Sequence, residues 1–394
     1  MDFSEAELTA NPHEVLTRLR EAGPVHRFDL MPGTDGWLIT GYDDARRALT
    51  DPRLSKTAMI NGRLGGGVFP AEIQRAISLH MLNADPPDHT RLRRLVSAAF
   101  TARRMEGLRP RVQEITDALI ADLAGRETAD IIDDFAFPLP FTVICELIGV
   151  PQVDRDNFRA WSNTLVGGAT DPEQAFHAIT SMTSYVRGLV ELKRSEPDDA
   201  LLSAMIDVTD SGDRLSEDEL TSLVFLLLVA GHETTVNLIG NAMFLLLSRP
   251  DDAAALRADE SLLPAAVEEF LRYESPVKTT TYRMTTEPVT VGDVTIPADA
   301  IVIVSLLSAN HDSGTFADAE VFDPARVDAQ QHIAFGYGIH YCLGAPLARL
   351  EGQIAVGSLL RAFPALAPAE PLDELTWRPG ILLRGLNHLP VRLS

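Results

Sequence analysis

Along most of the chain, apolar residues return every three or four positions. This spacing predicts helices over residues 12–21, 43–50, 88–100 and 105–123. The same period predicts helices over 154–165, 172–193, 262–274 and 345–363. The clearest helix starts at Ser216-Glu217-Asp218-Glu219, a capping box in which Ser and Glu satisfy the first free N–H groups. It meets no breaker before Ser248, ahead of Arg249-Pro250. That is roughly 30 residues, or about 45 Å at the rise of an α-helix. Alternating patterns are fewer and mostly late. Val289-Thr290-Val291 and Val294-Thr295-Ile296 flank Gly292-Asp293 and read as a hairpin. Residues 25–30, 37–40, 301–305 and 389–393 are further strand candidates. The expected class is mainly α with small β-sheets at one side.

A chain of 394 residues would, on length alone, be expected to hold two or three domains. The sequence has no Ser/Gly linker, internal repeat or low-complexity tract at which to divide it. Gly62-Arg63-Leu64-Gly65-Gly66-Gly67 is short and reads as a mobile loop. One large domain over 1–394 is expected.

Charge narrows the partners. With 34 Lys+Arg against 56 Asp+Glu the formal charge is −22, which repels nucleic acid and anionic membrane surfaces. The N-terminus is acidic and amphipathic, unlike a signal peptide, and the longest apolar run, Leu223 to Ala230, is far short of the ~20 residues of a membrane span. A reduced, cytoplasmic protein is expected. Two cysteines, Cys145 and Cys342, exclude a disulfide framework, a four-thiolate zinc site and an iron–sulfur cluster.

The most informative stretch is Phe335-Gly336-Tyr337-Gly338-Ile339-His340-Tyr341-Cys342-Leu343-Gly344. Three glycines surround a cysteine, and a helical pattern starts at Ala345. Glycine permits a tight loop that approaches a flat ligand closely. A cysteine entering a helix N-terminus has its thiolate stabilised by the dipole and free N–H groups, the environment an axial thiolate on iron needs. A dinucleotide fingerprint fails here, because after Gly338 the next glycine comes six positions on rather than three. Cys145, within Val143-Ile144-Cys145-Glu146-Leu147, reads as a small core residue.

This stretch resembles the haem-ligand loop of the cytochrome P-450 superfamily, F-G-x-G-x-H-x-C-x-G, with every fixed position filled. The resemblance implies a P-450-type fold with a long central helix and a haem between helices. It implies haem b as cofactor, with Cys342 as the iron ligand and Phe335, Gly336 and Gly344 beside it. Three further motifs stand in family order. Ala230-Gly231-His232-Glu233-Thr234-Thr235 lies in the long helix, and there the family keeps an acid–alcohol pair for proton delivery, which implies Glu233 and Thr234. Thr235 is one step out of register, and H-E-x-x-H zinc chemistry is excluded by Val236. Gly231 removes bulk, and Thr234 can bond back to the helix and open it, leaving a groove for a diatomic ligand beside Ala230 and Gly231. Glu269 and Arg272 match a structural E-x-x-R pair, with Arg326 as a candidate third member; related sequences often hold Arg where Val321 stands. Asp88 is a candidate helix cap. His89 and Arg93 share a helix face and, with Arg283 and His340, match residues that hold the haem propionates.

The implied activity is monooxygenation: one atom of O2 enters a C–H bond of a small organic substrate by hydroxylation or epoxidation, and the other leaves as water. Substrate contacts are expected from loop 61–69, from Val229 and Ala230, from Lys278 to Thr281, and from Ile381 and Leu382. A large secondary metabolite such as a macrolide or other polyketide fits this mixed lining. Electrons must come from outside, which implies a ferredoxin with its reductase. Residues 91–111 hold seven Arg and one Glu and form a candidate docking patch for that acidic donor. A monomer is expected. A peroxide-driven hydroxylase, a nitric oxide reductase and a non-catalytic haem sensor remain open on the same scaffold.

Overall fold

The computed structural model describes residues 3–31, 34–61, 70–166, 172–207 and 214–394. Most of the glycine-rich loop at 61–69 lies outside the described residues. The fold is that expected from the spacing of apolar residues, mainly helical with small sheets. Its residues gather into two compact units, each built from separated stretches of chain.

The first unit comprises 1–54, 108–139 and 234–394. Its largest sheet orders strands Val25–Met31, Thr34–Ile39, Ile301–Val304 and Arg283–Thr285 side by side. The first two form an antiparallel pair, and Gly36 to Ile39 then run parallel to Ile301 to Val304. Ile301 to Val304 is apolar at every position because both faces of this strand are covered. The expected hairpin is present, with Val289 opposite Ile296 and Val291 opposite Val294. Helices Tyr42–Thr50, Leu263–Tyr273 and Ala345–Ala362 complete the part of this unit that positions the cysteine loop.

The second unit comprises 55–107 and 140–233. It holds helices Asp88–Ala99 and Arg155–Val166, with Pro172–Ser195 beyond them. Helix Glu217–Leu247 starts in this unit and ends in the first. Its capping box forms as expected: the Ser216 N–H donates to Glu219 Oε2 at 2.8 Å, and the Glu219 N–H donates to Ser216 Oγ at 3.3 Å. By length and composition this helix could cross a membrane, yet it carries buried residues on several faces, as a core helix does.

Two expectations are corrected. The helix over 105–123 is two helices, Ala102–Gly107 and Arg109–Leu123, because Pro110 in the first turn starts a new helix while the apolar period continues across it. Asp88 does not cap its helix: Pro87 occupies that position, and it is Asp85 that accepts from the Lys56 and Thr57 N–H groups. The long helix is continuous from Glu217 to Leu247, with packed residues on both sides of the motif. Helix Pro138–Ile148 escaped the periodicity altogether, since it is apolar nearly all round and has no polar face to betray it.

Candidate functional site

In the first unit the site is built on the loop 335–344. Gly336 and Gly338 take φ values of +74° and +73°, the left-handed region that favours glycine. At Gly338 the absence of a Cβ also matters, because one would lie 2.9 Å from Thr50 Cγ2 and 3.2 Å from the Leu49 carbonyl oxygen. This glycine therefore lets the loop settle on helix Tyr42–Thr50. The Cys342 N–H donates back to the Phe335 carbonyl at 2.9 Å and closes the loop. Gly344 then caps helix Ala345–Ala362, so the thiol stands just before a helix N-terminus.

The two cysteines sit in opposite environments. Cys342 is exposed, which is unusual for this residue type. Cys145 is buried, and burial pushes its thiol up to about 12. It is an inert core residue, as its apolar neighbours in sequence imply.

Two ion-pair systems support the loop, one fully buried and one half-buried. Arg272 makes a bidentate pair with Glu269, at 2.6 and 2.7 Å, and also donates to the carbonyls of Asn310, Ala319 and Val321. Arg326 is the third member: its Nε reaches Glu269 Oε1 at 3.3 Å, and its Nη2 donates to the Val321 carbonyl. Position 321 thus contributes its backbone, with the Arg supplied from 326. Asn310 carries this frame toward the loop, accepting the Ile333 N–H at 2.8 Å.

The second system was not assigned from sequence. Glu268 is gripped by Arg349 at 2.7 and 2.8 Å and contacts His332 Nε2 at 3.1 Å. The Arg349 guanidinium lies 4.6 Å from the Phe335 ring centroid and donates to Tyr341 Oη at 3.2 Å. It therefore braces both ends of the loop. Burial alone would raise the Glu268 carboxyl, but hydrogen bonds from Arg349 and His332 outweigh it and hold the group at about 2. The sequence signal was present as a second carboxylate beside Glu269 and an Arg seven residues after Cys342, but pairs of that kind carry no fixed spacing.

His340 and Arg283 belong to this unit as well. His340 ends the short 3-10 turn Gly338–His340 and is half-buried. Arg283 is buried at the start of its strand and donates to the Leu54 carbonyl at 3.3 Å. Lys278 Nζ donates to the Gly380 carbonyl at 2.7 Å and Thr279 Oγ1 donates to the Ile381 carbonyl, so these two buried side chains stitch the segment to its neighbours, a correction to the expected substrate contacts. Thr280 Oγ1 accepts the Val304 N–H and keeps its own O–H to donate.

In the second unit His89 is buried and Arg93, one helical turn later, is half-buried. The acid–alcohol motif lies in the middle of the long helix. Leu226 and Thr234 are half-buried and Ala230 is exposed; spaced by four, they form one accessible stripe on a helix whose other faces are largely covered. His232 points away from water: its Nδ1 lies 2.8 Å from the Leu228 carbonyl and its Nε2 lies 3.1 Å from Ser162 Oγ. A carbonyl can only accept, so Nδ1 carries the proton and Nε2 receives the Ser162 hydroxyl. Glu233 is buried beside it, with Oε2 3.9 Å from His232 Nε2. Gly231 gives up its side-chain space to a neighbour, since a Cβ would stand 3.0 Å from Ile144 Cδ1. The Cβ side of Gly231 is thus a packing contact, while Ala230 beside it is exposed.

Thr235 is buried on the other side, hydrogen-bonded to Glu351 of helix Ala345–Ala362. Burial raises the Glu351 carboxyl to about 8, with the Thr235 hydrogen bond opposing the shift. Thr235 is thereby committed to the core.

These residues fit a thiolate-held haem. The first unit holds an accessible thiol at a helix N-terminus, with His340 two residues before it and Arg283 buried on a strand of the same unit. The second unit, described by itself, holds His89, Arg93 and the exposed Ala230. A family model for cytochrome P450 matches residues 3–158 and 172–388. The chain is 54% identical over 385 residues to cytochrome P450 107B1 of Saccharopolyspora erythraea, covering 96% of this chain and 94% of that one. It is 45% identical to 6-deoxyerythronolide B hydroxylase of the same organism, covering 97% and 96% of the two chains. Among solved structures it resembles the bacillaene polyketide synthase cytochrome P450 PksS of Bacillus subtilis 168, with a TM-score of 0.93, 40% identity and complete coverage of both chains.

Proposed function

The chain belongs to the cytochrome P450 family and is a haem-dependent monooxygenase, and on that premise we propose that Cys342 ligates the haem iron while Glu233 and Thr234 deliver protons. One observation carries this reading: an accessible thiol on a glycine-built loop at a helix N-terminus, braced from behind by the Glu268–Arg349 pair. When bound, haem supplies a redox-active iron that activates O2. The free N–H groups at the start of helix Ala345–Ala362 keep the Cys342 thiolate ionised. The brace on Phe335 and Tyr341 fixes where Sγ points.

Glu233 would pass a proton toward the Thr234 hydroxyl, the accessible member of the pair. His89, Arg93, Arg283 and His340 would pair with the two propionates, and Ala230, Gly231, Phe335, Gly336 and Gly344 would lie beside the ring. We read the two units as one cytochrome P450 domain, since the family model runs through both. We take the protein to be a cytoplasmic monomer.

The substrate we propose is a large secondary metabolite of macrolide or other polyketide type. The hydroxylase acting on 6-deoxyerythronolide B and the polyketide synthase P450 are the relatives that support it. For the electron donor we propose a ferredoxin with its reductase. Within 91–111, Arg91 pairs with Glu219, Arg104 donates to the Asp199 carbonyl and Arg111 pairs with Glu114, and we propose that the exposed Arg94 and Arg103 face the acidic partner. Arg94→Glu with Arg103→Glu should slow ferredoxin-driven reduction and flatten its salt dependence; unchanged rates overturn the patch.

The site is tested by two variants. Cys342→Ser should abolish the thiolate-type spectrum of the reduced carbonyl complex, and a wild-type spectrum in that variant would remove Cys342 from the role. Thr234→Ala should keep that spectrum but lose product about 10²-fold or more, its electrons leaving as hydrogen peroxide. Undiminished product in this variant overturns the relay.

A further inference from the structure

His13, His311 and Glu320 converge in the first unit; none lies on the cysteine loop, although His311 follows Asn310 and Glu320 stands between Ala319 and Val321, whose carbonyls Arg272 holds. Each offers one ligand atom, and the three atoms lie within 4.8 Å of one another. His311 is buried, and its two ring nitrogens meet two groups that can only accept. Nε2 lies 2.8 Å from the Tyr273 carbonyl, and Nδ1 lies 3.1 Å from Glu320 Oε2. A neutral imidazole has one N–H, so it satisfies one of these contacts and turns a lone pair toward the other. An imidazolium would satisfy both, at the cost of a charge in a buried ring. A divalent cation between Nδ1 and the carboxylate resolves the conflict with the ring neutral, and it recruits His13 at the same point.

We propose that His13, His311 and Glu320 form a binding site for a divalent transition cation of the zinc class. The surroundings are those of metal ligands held by outer hydrogen bonds. The Tyr273 carbonyl fixes the His311 tautomer so that Nδ1 is the ligand. His13 Nε2 is held by Glu274 Oε2 at 3.0 Å, and the other oxygen of Glu274 is held by Arg384 at 2.8 Å. Glu320 Oε1 accepts from Arg20 and Thr17, which leaves Oε2 for the cation. Two nitrogens and one carboxylate oxygen suit zinc, with solvent filling the fourth position through the exposed side of Glu320. His13 lies on helix Pro12–Ala22 and Glu320 some 300 residues later, so the ion would staple the start of the chain to its C-terminal half.

The test uses untagged, haem-loaded protein freed of adventitious metal with a chelator. Zinc chloride is titrated by calorimetry, and zinc content is measured after gel filtration. The expected result is one zinc per chain at micromolar affinity or tighter, a raised melting temperature, and an unchanged reduced carbonyl spectrum. Glu320→Gln and His13→Gln, both at accessible positions, should each weaken binding at least tenfold. His388→Gln, which removes an exposed His paired with Glu370 elsewhere on the unit, should leave it intact. Absence of saturable binding would reduce the cluster to an imidazolium–carboxylate pair and overturn the proposal. Binding that survives both site variants, or is lost equally in His388→Gln, overturns it too.

Discussion

Arg272 and Glu269, in the unit that carries the cysteine loop, meet at 2.6 Å with neither side chain exposed. Arg187 and Glu72, in the other unit, meet at 2.5 Å with side chains 29% and 65% exposed. The distances are nearly the same and the physical consequences are opposite. A desolvated pair can keep only the geometry in which every charge is answered, so Arg272 must also find the carbonyls of Asn310, Ala319 and Val321. A solvated pair can part and be replaced by water. The first unit uses buried charge to fix the position of a loop that must hold one sulfur atom in place. In the second unit the Arg187–Glu72 pair is left at the surface, where it fixes no such loop.

The largest break in that comparison is Arg272→Leu. It strands Glu269 without its bidentate partner and leaves three carbonyls with one donor fewer, a change of about 3–5 kcal/mol. We expect little haem-loaded protein to accumulate, and what does accumulate should melt well below wild type. A melting temperature and haem content equal to wild type would show that the buried pair does not set the loop. Arg326→Lys, which keeps the charge near Glu269, should be milder by both measures.

Acid sharpens the same contrast at an intermediate scale. In the second unit burial lowers His80 to about 4 from the ordinary 6.5, so the folded state prefers it neutral. Its contribution is complete above pH 6.5 and is lost as pH falls toward 4, amounting to about 2 kcal/mol by pH 5. In the first unit Glu268 is held at about 2, so its contribution persists until pH drops below 4.5. Glu351 runs the other way. Its carboxyl is raised to about 8, and stability that is full below pH 4.5 is lost as pH rises toward 8. Moving from pH 7 to 5 should therefore loosen the region around His80 while helix Ala345–Ala362 tightens. Hydrogen exchange, corrected for the intrinsic rate, should show protection falling in peptides around 80–99 and holding or rising in 345–362. Glu351→Gln should remove the rise. Parallel loss in both regions would mean that the two units share one acid response.

The comparison also explains what could be read from the sequence. The cysteine loop was legible because each of its features has a local cause: two glycines at positive φ, a thiol, and a helix start at Ala345. The Glu269–Arg272 pair was legible for the same reason, being one turn apart on one helix. The Glu268–Arg349 brace was not, because its members are 81 residues apart and are brought together only by helix packing. Glu351 is a similar case: a single acid in an apolar helix pattern reads as a solvated position until Thr235 is placed against it. Helix Pro138–Ile148 was hidden by being buried nearly all round, which erases the period on which such readings depend. Lys278 and Thr279 misled in the other direction, since polar side chains expected to meet a ligand donate to nearby backbone instead.

Arg187→Ala is the smallest effect and the strictest control on the argument. Arg187 also lies 3.6 Å from Asp218, which Arg75 approaches at 3.5 Å, so the substitution removes one member of a four-charge surface group. Were ion pairs equivalent wherever they occur, this variant would behave like Arg272→Leu. Because Glu72 is mostly in water, it regains hydration when Arg187 leaves, and the net change should stay within about 1 kcal/mol. Most of that change should come from lost contacts of the Arg stem, which salt does not screen. Melting curves of wild type and variant should therefore stay within a few degrees and keep nearly the same offset between low and high salt. A loss as large as that of Arg272→Leu would mean that exposure does not decide what an ion pair contributes here, and the division drawn between the two units would fail at its root.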